Sequence, residues 1–577
     1  MNDQLKPAEI KKQREAALAE DRRTILHLPP EQALKAIAEH PYPVTLVQSM
    51  AEEDLYLLVH TIGPDDALPV LALASNEQWD YLLDLETWDR DRLDPRAVTN
   101  WIARLLKADP DRLTYQIAKE KQDAFAYYLF KNIQVHIREY DQDPGEIGDD
   151  FFTEDQTYYI RLRPYPEEDQ PYQEHRDRLV KDLLKRLAVY DYPTYRDLVL
   201  KSSSLIPAEA EEELYRLRNV RMAEKGFLPF DEAVGVYQPL TVTDMLARRS
   251  KPAATGGRQV DSYPIRVDGA DASGDANVFA RTLARLQDPA TLERLQTEFA
   301  GLCNQIIAAD GLKIRQKSSL DQVVRKTSDF ISIGMEKTAL HTGPDEPYTH
   351  AKMIQTHFLS DLFRVGYGCA LELKWNADKW RKGSWFERRG LPLSFWGEAW
   401  LGVLGGLLIK KPLYYDNYTT GVLYREFATL KDIRESETIL QTIIAFDDVL
   451  NLMEIDPPRS QEILTGQNLL LTLWANHHLE MGGSGRTVRP LTRDQLRRFL
   501  DALWQPDVRP RRISRRMRER FLDWLADRSG LQNYQISERM GQALEQLFNQ
   551  IETELGGVEP DDLNPHYIYL FLFEPGA

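Results

Sequence analysis

The chemistry this chain can offer is concentrated in arginine. Between Ser484 and Arg520 the sequence holds twelve arginines, no lysine and four acidic residues, Asp494, Asp501, Asp507 and Glu519. Twelve minus four leaves a local balance of +8 in a chain of net charge −18. Arg509, Arg511, Arg512, Arg515, Arg516, Arg518 and Arg520 crowd the start of one expected helix, whose apolar face is Ile513, Met517, Phe521, Trp524 and Leu525. A guanidinium is a planar fork that meets phosphate or carboxylate through two parallel hydrogen bonds. Arg509, Arg511, Arg512, Arg515, Arg516 and Arg518 are therefore candidate anion-binding residues, for nucleic acid or for an acidic protein. Cations at a helix N-terminus oppose the macrodipole, which favours an anion brought in by tertiary structure or from outside. The competing and stronger expectation is pairing with the chain's own carboxylates, for example those between Asp141 and Asp177 or on acidic helix faces, because so acidic a surface repels a phosphate backbone.

Histidine supplies the second set of candidates. His350, His357 and Asp361 follow one another at spacings of seven and four and would share a face of a single helix. Imidazole and carboxylate suit a zinc-like ion, so these three are candidate metal ligands. A metal centre needs three or four convergent ligands with a supporting shell, and partly exposed histidines near a helix start are the plainer expectation. His477 and His478 with Glu480 form a looser cluster of the same kind. Gly482-Gly483-Ser484-Gly485-Arg486-Thr487 invites comparison with a phosphate loop and fails it. Arg486 takes the place of the lysine, Glu480 stands where the first glycine belongs, and residues 469–481 read as helix rather than strand. No nucleophile elbow or catalytic cysteine context accompanies these residues. No cofactor is expected, and enzymatic activity is disfavoured.

The elements that must position these residues are mostly short helices. Leu55, Leu58, Val59 and Ile62 fall at i, i+3, i+4 and i+7, and Val98, Trp101, Ile102 and Leu105 repeat the pattern, each set making one apolar stripe. Shorter versions appear at Leu68, Leu71, Ala72 and at Trp79, Leu82, Leu83. Gly63-Pro64-Asp65-Asp66, Ser75-Asn76-Glu77-Gln78, Asp94-Pro95 and Asp109-Pro110 read as helix starts, with a capping box at Ser75 and proline at the first helical position after each aspartate. Helices of two or three turns do not persist alone in water, so a stacked superhelical repeat is expected over residues 30–140.

The string Glu53-Asp54-Leu55-Tyr56-Leu57-Leu58, continuing through Asp65-Asp66-Ala67-Leu68-Pro69 to Tyr81-Leu82-Leu83-Asp84-Leu85, resembles the cytosolic N-terminal superhelix of MgtE-type magnesium channels and, more distantly, flagellar switch proteins. It is more similar to an uncharacterised bacterial family, a domain of unknown function that covers most of a chain this long. The pattern is echoed at Glu211 to Arg218, Ala223 to Phe227, Tyr237 to Leu240 and Leu362 to Gly368. That family has no established activity, so the resemblance implies no functional residues. This chain also has no expected transmembrane helices for a magnesium sensor to gate.

Composition bounds the remainder. A chain of 577 residues, 42% hydrophobic and 10% aromatic, can bury large cores over three or four domain-sized units. Only Cys303 and Cys369 occur, and residues 1–6 lack the apolar core of a signal peptide, so a reducing cytoplasm is expected. The longest apolar run, Ala399 to Ile409, is too short to cross a bilayer. Its aromatic and lysine flanks resemble an interfacial anchor, but a buried core segment is favoured. The expected organisation is a charged arm (1–29), the helical superhelix (30–140), an acidic segment with a short strand at Tyr158, Ile160 and Leu162 and helices at 178–187 and 209–225 (141–247), a linker (248–277) and a mostly helical C-terminal domain (278–577). Tyr567 to Phe573 reads as a buried strand or docked tail. The fold class is mainly α with a few short strands. The expected function is a non-enzymatic protein-interaction scaffold or regulatory adaptor with a protein partner, the alternatives being polyanion binding through residues 486–520 and a metal-dependent enzyme.

Overall fold

What each short helix buries decides how the chain is built, because none can stand alone in water. The computed structural model describes residues 18–22, 24–26, 28–164, 169–248, 277–342, 350–458, 464–482, 486–559, 562–564 and 567–574, and it is mainly α. Eight helices follow one another from residue 30: Pro30–Ala38, Pro43–Gln48, Glu52–Ile62, Leu68–Leu73, Asn76–Glu86, Pro95–Ala108, Pro110–Lys119 and Gln122–Asn132. Through the first six, each helix packs on the one two places along, which produces two interleaved rows. Leu58, Leu71, Leu82 and Trp101 all lie in one buried cluster, as a stacked repeat requires.

The caps explain where these helices begin. Ser75 accepts from the Gln78 N–H while the Gln78 side chain accepts from the Ser75 N–H. Asp94 and Asp109 accept first-turn N–H groups, each followed by proline at the first helical position. The start expected at Gly63-Pro64-Asp65-Asp66 is corrected. Gly63, at φ +106°, instead terminates the preceding helix, and the next one opens at Leu68 without a side-chain cap.

A strand follows the last of these helices. Ile133-Gln134-Val135-His136-Ile137, alternating and β-branched, leaves the helix as a strand and pairs antiparallel with Tyr158–Leu162, placing Val135 opposite Ile160. The strand expected at Tyr158 is present, and the helices expected at 178–187 and 209–225 fall on Gln170–Tyr190 and Pro207–Glu224. The expected linker falls, at residues 249–276, outside the described residues, as does the arm up to residue 17.

In the second half two long helices, Lys317–Thr342 and Leu359–Gly383, cross at glycines. A Cβ on Gly334 would lie 2.0 Å from the Leu362 carbonyl oxygen, and one on Gly366 would lie 1.9 Å from that of Phe330. Pro289–Asp310, Gly397–Leu408 and Leu430–Leu452 pack around this crossing, and Asn533–Leu555 packs on Leu430–Leu452. The apolar run at 399–409 belongs to the Gly397–Leu408 helix, whose Gly402 and Gly406 lie against Tyr415 and Tyr424 of a hairpin formed by Tyr414–Tyr415 and Tyr424–Arg425. It is a core segment. No helix among the described residues is long and apolar enough to cross a membrane. The C-terminal run docks against the core: Ile568, Leu570, Phe571 and Leu572 are buried, whereas Tyr567 and Tyr569 are exposed. It is held by the Leu572 N–H donating to Thr472 Oγ1 and the Leu491 N–H donating to the Leu572 carbonyl.

Candidate functional site

Most of the candidate arginines meet carboxylates of the Asn533–Leu555 helix and the residues after it. Glu552 is the hub. Its Oε1 accepts from the Ile513 N–H at 2.9 Å and from Arg518 at 2.9 Å, and its Oε2 accepts from Arg512 at 2.7 Å. Burial would raise this carboxyl, but the Ile513 N–H and the two guanidiniums outweigh it and hold it below its ordinary range. Glu559 takes Arg509 and Arg511, both at 2.8 Å, Glu545 takes Arg518 as well, and Arg515 pairs with Glu519 one turn along its own helix. None of these contacts involves the acidic segment 141–177. Arg516 and Arg520 sit one turn apart, exposed, with no ion pair among the described residues. The His477 ring stacks 6.1 Å from that of Trp524, His478 stands edge-on to Phe499 at 5.7 Å, and burial followed by the charge of Arg520 pushes the His478 imidazole down.

His350, His357 and Asp361 do not share one helix. The chain breaks after Thr356, so His350 opens a short helix, His357 follows its end, and Asp361 lies in the first turn of Leu359–Gly383. Asp361 Oδ1 accepts from Arg248 at 2.7 Å. Among the described residues no group of three or more His, Cys, Asp or Glu converges to hold a metal ion. Residues 483–485 of the glycine-rich loop fall outside the described residues.

Two polar centres lie inside the fold where helical periodicity gave no hint of them. In the first, Tyr237 donates to Asp310 Oδ1 at 2.6 Å, Lys326 bridges Asp310 at 3.1 Å and Glu426 at 2.8 Å, and Lys411 also pairs with Asp310. Both ammonium groups lie over the Tyr237 ring, at 5.2 and 4.6 Å from its centre. Desolvation would raise the Asp310 carboxyl, yet the two lysines and the Tyr237 hydroxyl hold it below its ordinary range, while burial drives the Tyr237 phenol far up. In the second, Arg425 spans Asp416 at 2.8 Å and Asp432 at 2.8 Å. Asp329, held by Asn277 at 2.9 Å, is pushed by burial up to about 7. The first centre holds fixed charge, whereas Asp329 can exchange a proton near neutrality.

Two further features face outward. Where the helices Pro110–Lys119, Gln170–Tyr190 and Tyr192–Ser204 meet, Tyr115, Val189, Tyr190 and Tyr192 are exposed at 47%, 84%, 50% and 42% around the Lys119–Asp191 ion pair of 2.7 Å. Asp191 is fixed there because it also caps the next helix through the Thr194 N–H, and Tyr192 donates to Asp155 Oδ2 at 3.0 Å. The sequence signal was the Tyr190-Asp191-Tyr192 junction between two helices, where a capping residue forces its aromatic neighbours outward. The other feature is a cavity of about 340 Å³ at the start of the Gly397–Leu408 helix, with Trp396, Trp400 and Phe446 among its walls.

A family described as a family of unknown function, DUF6178, matches residues 10–574, and the chain belongs to it. No curated protein and no solved structure matches the chain.

Proposed function

We propose that this member of a family without an assigned activity is a protein-interaction scaffold, and that its tyrosine patch at Tyr115, Val189, Tyr190 and Tyr192 is the docking surface. The observation that carries this reading is the exposure of three tyrosines and a valine on one rigid junction of three helices. Tyrosine offers large contact area with few rotors to immobilise, so exposed clusters of it favour protein partners. The stack of capped helices beside it supplies a stiff support, as repeat surfaces do. The likeness of that stack to the MgtE-type superhelix is part of the same proposal. Burial of both free thiols, Cys303 and Cys369, is compatible with a cytoplasmic placement.

The test is site-specific photo-crosslinking from position 190 in the native host. A discrete partner should be captured by the unaltered surface and lost, about tenfold or more, with Tyr115→Ser and Val189→Asp together. Crosslinks that persist unchanged in that variant would overturn the reading. A second reading, polyanion binding, draws on Arg516 and Arg520, which stay exposed after the neighbouring arginines are engaged internally. It requires salt-sensitive RNA or DNA binding that Arg516→Glu with Arg520→Glu removes.

A further inference from the structure

The cavity at the head of the Gly397–Leu408 helix is unlike the buried polar centres because its walls are rings and amides. Trp396 and Phe446 are almost fully buried and form its floor, and Trp400 is half-buried beside them. The rings touch, with Trp400 to Phe446 at 5.6 Å and 78° and Trp396 to Phe446 at 6.3 Å and 78°. No two walls run parallel, so there is no slot for sandwiching a flat heterocycle. Trp400 instead offers a platform for one face of a ring.

Three side-chain amides complete the lining. Gln467 comes from the first turn of the Gly466–His478 helix, and Gln546 and Gln550 lie one turn apart on one face of Asn533–Leu555. Gln550 donates to Glu554 at 2.9 Å, which fixes its amide and leaves its carbonyl oxygen to accept. An amide presents a donor and an acceptor side by side, as a hydroxyl does, so amides and hydroxyls satisfy one another. Charge narrows the ligand class. Among the described residues no lysine, arginine or histidine lines the cavity, which disfavours phosphates and carboxylates. The cavity also sits at the N-terminal, positive end of the Gly397–Leu408 helix, whose first residues line it and whose N-cap, Trp396, makes no side-chain cap. That end disfavours an organic cation despite the aromatic walls, and Glu398 is already placed to offset it.

We propose that this cavity binds an uncharged, polyhydroxylated ring, a mono- or disaccharide, stacked on Trp400 and hydrogen-bonded by Gln467, Gln546 and Gln550. The volume of about 340 Å³ falls within the range of small-ligand pockets. This site stands apart from the tyrosine patch and does not depend on its role.

The experiment titrates the full chain with glucose, maltose and N-acetylglucosamine by calorimetry and saturation-transfer NMR, with choline and adenosine as comparators. At least one sugar should saturate. Trp400→Ala should weaken it by about tenfold or more, the loss of one stacking contact with its desolvated surroundings. Gln546→Leu, at an exposed position that cannot unfold the core, should weaken it by a similar factor, while Trp375→Ala, on a different exposed surface, should change nothing. Saturation by choline or adenosine with none by the sugars would overturn the proposal, as would no saturation by any probe or a Gln546→Leu variant that binds sugar as well as the unaltered chain.

Discussion

Asp329 shows how far a single residue can depart from what its position in the sequence announces. It sits on the Lys317–Thr342 helix beside Lys326, Thr327 and Ser328, a polar run that reads as solvent-facing, yet all four are buried. Desolvation lifts its carboxyl to about 7, although Asn277, Arg325 and Arg425 pull the other way. An acid whose folded pKa exceeds its unfolded one holds its proton more tightly in the folded state. Its stabilising contribution is therefore complete below the unfolded value of 3.8 and is lost as pH rises through about 7. Asp329→Asn keeps the shape and removes the charge, so urea unfolding at about pH 4 and about pH 8 should show a smaller decline in the variant than in the unaltered chain. Equal declines would mean that the carboxyl is solvated. Glu86 illustrates the opposite sign. Burial would raise it, but His60, Arg315 and Tyr56 hold it well below its ordinary range, so its stabilisation is present near neutrality and lost on acidification.

At the scale of elements, the crossing of Lys317–Thr342 with Leu359–Gly383 is the tightest constraint in the fold. Backbone meets backbone there because Gly334 and Gly366 carry no Cβ, and an added methyl would have to displace a main-chain carbonyl rather than a flexible side chain. Gly334→Ala and Gly366→Ala should each cost at least about 3 kcal/mol in denaturant unfolding, above the usual overpacking range. Gly301→Ala is the control. Its site on the Pro289–Asp310 helix is open, so a Cβ there meets nothing within 4 Å, and the better helix propensity of alanine should stabilise by up to about 1 kcal/mol. A penalty at Gly301 as large as at Gly334 would show that the helices tolerate no substitution at all and that the crossing is not special. The amphipathic stripes and the caps at Ser75, Asp94 and Asp109 were legible because each is a local rule obeyed within a few residues. The strand at Ile133–Ile137 was not, since a five-residue apolar alternation at the end of a helix becomes a strand only when a partner such as Tyr158–Leu162 arrives from more than twenty positions away.

Across the whole molecule, charged ties and one buried cluster link distant parts of the chain. Arg315 and Lys313 grip Glu86, Arg218 and Arg221 grip Asp84, and Lys225 pairs with Glu52, so the third and fifth of the stacked helices are clasped by residues more than a hundred positions downstream. The hydrophobic cluster runs from Ile25 to Leu572. The docked tail closes that cluster, with Phe571 edge-on to Phe499 at 5.8 Å. Phe571→Ala should cost about 3 to 5 kcal/mol and lower the midpoint of thermal unfolding of the C-terminal helices. Scanning calorimetry that finds the transition unmoved would show that the tail rests on the core without stabilising it.

By itself the sequence determined the fold class, the helical stack and its caps, the buried nature of the 399–409 run and the docking of the apolar tail. All of these depend on residues within a turn or a strand of each other, where periodicity and capping chemistry act directly. It also marked the arginine-rich stretch as electrostatically unusual, and it could not say which anions that stretch meets. Only the tertiary structure decided that Glu545, Glu552 and Glu559 take most of the candidate arginines, that His357 and Asp361 lie on opposite sides of a helix break, and that Lys326 and Asp329 are buried. Which carboxylate reaches which guanidinium, and which polar face is covered, depends on how helices far apart in sequence cross and on the free energy of removing charge from water, quantities that no local window of residues contains.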